Sequence, residues 1–158
     1  MRTKVISFVF IVFIGITVFS SYGYFAGITG RTKKGGFTEG CKCHGSAPFN
    51  NVNVIISGPD TVQPGQTANF LLSITGGPLV RGGTNIAVSL GELNTISGSG
   101  LRKQDGELTH QQPKAPVSGS VSFQFSYTAP LTEGTDTIFA NGNSVSNDTL
   151  PDNDNWNF

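Results

Sequence analysis

The chain has 158 residues, in which ten Lys and Arg balance ten Asp and Glu, so its formal net charge is zero. No basic stripe exists, which argues against nucleic acid as a partner. Low charge, few helix formers and abundant Gly, Ser, Thr and Asn point away from a helical cytoplasmic protein and toward an extracytoplasmic β protein.

A basic start, Met1-Arg2-Thr3-Lys4, precedes an apolar run over 5–19 and then the small residues Ser20, Ser21, Gly23, Ala26 and Gly27. That order is the n-region, h-region and cleavage zone of a secretory signal. The run is short for a spanning helix, which needs about 20 residues, but extended through Tyr22 to Ala26 it could stay uncleaved as an anchor. Residues 1–26 are therefore expected to be a signal peptide or N-terminal membrane anchor. The remainder is expected to be exported, to the periplasm, the cell surface or the medium. No cysteine follows the apolar run closely enough to accept a lipid. About 130 residues are left, enough for one domain with a core.

Residues 27–50 form a Gly-rich basic stretch carrying Arg31, Lys33 and Lys34, read as a linker or loosely ordered arm. Beyond it, over 51–158, the apolar period becomes two. Val52, Val54 and Ile56 alternate with polar neighbours and stop at Ser57-Gly58-Pro59-Asp60, a turn sequence. Pro64-Gly65 marks a second turn. Ala68, Phe70, Leu72 and Ile74 make the next strand, ended by Gly76-Gly77-Pro78. Ile86, Val88 and Leu90 make another, which Leu93 and Ile96 extend beyond Gly91. Ser97-Gly98-Ser99-Gly100 is loop. Val121, Phe123, Phe125 and Tyr127 give the cleanest alternation, and 135–140 gives a last strand. With no sustained helical period, the expectation is an all-β sandwich. The Asn- and Asp-rich tail closes on Trp156-Asn157-Phe158, aromatic residues expected to pack back onto a sheet.

The chemistry-bearing segment is Gly40-Cys41-Lys42-Cys43-His44-Gly45, which holds both cysteines and one of the two histidines. It is one residue short of Cys-x-x-Cys-His, in which two thiols bond a haem and the histidine ligates its iron. In a haem reading Cys41 and Cys43 hold the group, His44 is the proximal ligand and His110 the distal one. The missing residue shortens the reach of the thiols. Three alternatives stand beside it. Cys41, Cys43, His44 and His110 could bind zinc or copper, zinc as a Cys2His2 set. Cys41 and Cys43 could form a strained small-ring disulfide. Or they could bond another chain. His110 could instead close a sandwich corner by hydrogen bonding to backbone.

The remaining polar residues offer less. Asp148, Asp152 and Asp154 could supply calcium ligands, but their spacing fits a solvated turn better. Glu92, Asp105, Glu107 and Glu133 form no acid–base pair and are expected to face solvent. With no nucleophile motif or phosphate loop, the chain is read as a non-enzyme.

Several stretches together resemble a known family. They are Gly58-Pro59-Asp60-Thr61-Val62-Gln63-Pro64-Gly65-Gln66-Thr67, then Gly106-Glu107-Leu108-Thr109-His110 with Pro113-Lys114, then Ser122 through Thr128 with Ala129-Pro130, and Ile138-Phe139-Ala140-Asn141-Gly142-Asn143. The set resembles the bacterial choice-of-anchor V domain, itself similar to the Reeler domain of animals, from about Gly40 onward. The resemblance implies an immunoglobulin-like β-sandwich on a secreted or surface-held protein, and a Cys/His cluster just before the first strand. It implies little about chemistry. Two functions therefore stand: a small exported monohaem c-type electron carrier with an unidentified redox partner, or a non-catalytic surface module for adhesion or matrix contact.

Overall fold

The computed structural model describes residues 24–148, 150–151 and 153–158. The expected signal or anchor lies almost wholly outside them; among the described residues no helix is long and apolar enough to cross a membrane. Nine strands follow in order: β1 (Val52–Ser57), β2 (Thr67–Gly76), β3 (Arg81–Val88), β4 (Glu92–Thr95), β5 (Leu101–Gln104), β6 (Glu107–His110), β7 (Val121–Thr128), β8 (Ile138–Val145) and β9 (Asn155–Asn157). They form two antiparallel sheets, ordered β1-β2-β7-β4 and β5-β6-β3-β8-β9. The protein is all-β and sandwich-like, as its period-two patterning predicts.

The core lies between the sheets. Val52, Leu72, Ile74, Leu93, Val121, Phe123, Phe125 and Tyr127 from the first sheet meet Ile86, Val88, Leu101 and Leu108 from the second. Strand β7 alternates perfectly, its apolar residues inward and Ser122, Gln124 and Ser126 outward. Each large apolar side chain so buried contributes roughly 1.5–3 kcal/mol. Phe70 stacks on Phe125 at 5.6 Å and meets Tyr127 edge-on at 6.1 Å.

Three boundaries differ from expectation. Leu93 does not extend the strand of Ile86 and Val88: β4 crosses to the other sheet and pairs with β7. The crossing is fixed by Asp136, whose carboxylate accepts from Ser89 Oγ and from the backbone N–H groups of Leu90 and Gly91. Leu90 is left exposed there. A hairpin, β5–β6, turns at Asp105-Gly106, both with positive φ, the backbone that a two-residue type I′ turn requires. Strand β8 begins later than expected and runs on through the polar stretch Asn141–Val145, pairing with β3 along its length.

Strand β3 does not alternate, since every residue from Gly82 to Val88 is buried. Its outer face is covered by the segment before β1. The arm read as loosely ordered is bound: Gly30 N–H donates to Glu107 Oε2 (2.7 Å), Arg31 N–H donates to Asn85 Oδ1 (2.8 Å), and Asn141 Nδ2 donates to Arg31 O (2.7 Å). Glu107, expected in solvent, is buried and also accepts from Asn85 Nδ2 at 2.9 Å.

Candidate cofactor site on the arm

The Cys/His segment folds as one short 3₁₀ turn, Lys42–His44, entered from Cys41, with His44 N–H donating to Cys41 O at 2.8 Å. The turn is pressed onto the C-terminal strand. A side chain at Gly40 would meet the Trp156 ring at 2.1 Å, and one at Gly45 would meet Phe49 at 2.6 Å. Trp156 is wholly buried and its Nε1–H donates to Gly45 O at 2.9 Å. Phe158 stands edge-on to Trp156 at 5.2 Å. The tail is therefore tied down as its aromatic residues predict, and what it ties down is the Cys/His turn.

His44 is oriented by a buried carboxylate. Its Nδ1 lies 2.7 Å from Asp154 Oδ2, and Asp154 is 4% exposed. The other oxygen, Asp154 Oδ1, accepts from Ser146 N–H (2.8 Å) and Ser146 Oγ (3.2 Å). Asp154 is thus no solvated turn residue, unlike the exposed Asp148; Asp152 lies outside the described residues. Among the described residues no protein group hydrogen-bonds to His44 Nε2. A carboxylate behind one ring nitrogen, with the other nitrogen unengaged, is the outer-shell arrangement that fixes tautomer and ring direction in metal-ligating histidines.

The two cysteines differ. Cys41 precedes the 3₁₀ turn with a non-helical backbone (φ −88°, ψ 47°), whereas Cys43 lies inside it. Cys41 is half-buried and Cys43 exposed, and both are free thiols. Burial pushes the Cys41 thiol up to about 12, Arg31 offsetting part of this and Cys43 adding to it. Cys41 is held as a thiol, with little thiolate for nucleophilic attack or metal binding.

His110 lies at the end of β6 with its ring against Gly83, where a Cβ would sit 2.5 Å from the imidazole. Its Nδ1 faces Thr84 N–H at 3.0 Å and Thr84 O at 3.2 Å, accepting from one or donating to the other according to tautomer. Burial lowers its pKa, partly countered by the Thr84 backbone. This is the backbone-bonded corner histidine weighed above. Among the described residues no three His, Cys, Asp or Glu side chains converge to hold one ion, so Cys41, Cys43, His44 and His110 are not assembled as a tetrahedral set. For a haem, His44 could offer its ring nitrogen to the iron and exposed Cys43 an attachment point, whereas Cys41 is half-buried.

Asp154, Trp156, Asn85, Asn141 and Glu107 complete the surroundings of the arm, and sequence reasoning assigned none of them to it. Only Trp156, an aromatic residue ending a polar tail, carried a signal. Comparison with protein-family models finds no match, and no curated protein matches the chain.

Proposed function

We propose that the chain is an exported immunoglobulin-like β-sandwich protein of the choice-of-anchor V type that carries a c-type haem on its arm and transfers electrons to a redox partner. The fold assignment rests on strand order. The order β1-β2-β7-β4 facing β3-β8-β9 parallels the ABED and CFG sheets of an immunoglobulin constant-type domain, with β5 and β6 added beside β3. Two of the segments that carry the family resemblance, β6 with His110 and β8 with Asn141, border the arm.

The observation that carries the functional reading is His44, held through Nδ1 by buried Asp154, with Nε2 unengaged among the described residues and exposed Cys43 beside it in the chain. A bound haem supplies one-electron chemistry at its iron. The protein's own residues orient the ligand and shield it. Asp154 keeps the proton of a neutral His44 on Nδ1, leaving the Nε2 lone pair for a metal, while Trp156, Phe158 and Phe49 supply an apolar wall beside the turn.

The test is an absorption spectrum of the chain exported from a host with cytochrome c maturation machinery, followed by haem staining after denaturing electrophoresis. A Soret band, sharp reduced α and β bands and stain that survives denaturation are expected. His44→Ala should abolish the native spectrum. A colourless protein with two free thiols overturns the reading. The second reading, a non-catalytic adhesion or matrix module with the Cys/His turn as a clip, draws on the arm's tight docking. Two shallow surface depressions, around Phe70 and Gln124 and around Leu90 and Leu131, also lie away from the turn.

A further inference from the structure

We infer that the outer side of the arm is a membrane-contact face, on which the protein lies against anionic phospholipid head groups. The inference is independent of the haem reading, and neither needs the other. Three observations lead to it. The first is the path of the arm. Arg102 of β5 donates to Ala26 O (2.9 Å) and Gly27 O (3.2 Å), and Glu107 of β6 accepts from Gly30 N–H. Asn85 of β3 and Asn141 of β8 then hold Arg31, and Trp156 of β9 lies against Gly40. These contacts follow the order of the sheet, β5-β6-β3-β8-β9. The arm therefore crosses the outer face from one edge strand to the other, and its own outward side is the surface there.

The second observation is charge. Residues 27–50 hold four cations, Arg31, Lys33, Lys34 and Lys42, against one acid, Glu39. The three lysines are exposed, and Glu39 is paired with Lys42. Glu107 and Asp154 are buried beneath the arm, and Asp105, at the β5–β6 turn, accepts from Thr29 Oγ1. The opposite sheet differs: β1, β2, β7 and β4 contain no Lys or Arg and a single acid, Glu92. A chain of zero formal net charge is thus polarised across its sandwich, and the arm is the side that a negatively charged surface attracts.

The third observation is an aromatic pair. Tyr24 and Phe25 are each 66% exposed, in a turn closed by Gly27 N–H donating to Tyr24 O at 2.8 Å. Arg102 fixes the next two residues to β5, so no free linker separates this pair from the sheet. The apolar run over 5–19 ends four residues before it. Tyr favours the head-group level of a bilayer, and Phe the acyl boundary just beneath. Cations alone would suit any polyanion. The aromatic pair at the start of the cationic arm selects a bilayer.

The experiment places the full chain in nanodiscs of phosphatidylcholine alone and of phosphatidylcholine with phosphatidylglycerol. Lysines are acylated with a water-soluble succinimidyl ester and read one by one by mass spectrometry. Lys103, which donates to Glu92 and Asn94 of β4 in the opposite sheet, is the internal control. In the anionic discs Lys33, Lys34 and Lys42 should label severalfold more slowly than in the neutral ones, while Lys103 is unchanged. Raising the salt should remove that protection. The double variant Lys33→Gln, Lys34→Gln should lose the protection of Lys42. Equal labelling of the arm lysines in both bilayers overturns the inference, as does slowing at Lys103 to the same degree. The double variant Tyr24→Ser, Phe25→Ser should also weaken the protection. Full protection in that variant overturns the lipid assignment and makes the arm a general polyanion site. If either variant fails to fold, the wild type in the two bilayers decides alone. Whether the chain carries haem does not enter the readout, so this inference and the haem reading fail separately.

Discussion

Asp136 shows how one carboxylate can fix the path of a strand. Its Oδ1 accepts from Ser89 Oγ (2.5 Å), Leu90 N–H (3.0 Å) and Thr137 N–H (2.7 Å), and its Oδ2 from Gly91 N–H (2.6 Å) and Tyr127 OH (2.7 Å). Burial by itself would raise its pKa, but these donors outweigh it and bring the group down to about 2. A folded-state pKa below the unfolded one means stability that is present above the ordinary value of 3.8 and lost as pH falls toward about 2. Urea midpoints across that window should fall with pH in the wild type. Asp136→Asn should start lower at neutral pH and give a flatter profile over the same window; parallel profiles would show that the clamp is not the source. A second pair of residues separates met from unmet polar groups. Asn141 Oδ1 accepts from Asn85 N–H (3.0 Å) and its Nδ2 donates to Arg31 O, while two positions on, Asn143 Oδ1 is buried without a donor among the described residues. Asn141→Val should lower the unfolding free energy by about 1–3 kcal/mol. Asn143→Val should be neutral or stabilising, since it removes an unmet acceptor. Equal losses in both would refute the distinction. None of this was legible residue by residue, because an Asn in a strand reads as solvated until something is known to cover it.

At the level of elements, the arm and the five-stranded sheet are one unit, joined through Glu107, Asn85 and Asn141. Glu107→Ala should remove the acceptor of Gly30 N–H and leave Asn85 Nδ2 with Leu108 O alone, at 3.1 Å. The Gly30 and Arg31 amides should then exchange with deuterium at least tenfold faster, a loss of roughly 1.4 kcal/mol of local protection, while β7 amides change less. Unchanged exchange at Gly30 would show that the arm is held by other contacts. The sequence made strands with internal alternation readable: β1, β2 and β7 stand where Val52, Phe70 and Phe123 place them, because one face meets the core and the other meets water. It hid strands whose outer face is covered. Strand β3 is buried on both faces, and β8 continues through Asn141 because its polar side chain meets the arm at Arg31 instead of ending the strand.

For the molecule as a whole, the two-sheet architecture follows from pattern, and the turn chemistry of Pro64-Gly65 and Asp105-Gly106 accounts for two of its reversals. Which strand joins which sheet does not follow. The crossing of β4 depends on Asp136, some forty residues away in the chain, and no local period encodes such a contact. The candidate site divides the same way. Cys41, Cys43 and His44 are adjacent in sequence and were found together; the partner that orients His44 is 110 positions away, and His110, placed with them by chemistry alone, is occupied by the Thr84 backbone.

The seat of the Cys/His turn on Trp156 sets an order of events. The turn leaves the ribosome long before the strand that closes over it, so between those two moments His44 lacks Asp154 and Gly40 faces no indole. Any enzyme that must handle the thiols of Cys41 and Cys43 has that interval in which to reach both. Once Trp156 has docked, Cys43 is still exposed and Cys41 is half-buried. The chain carries its own deadline at its far end.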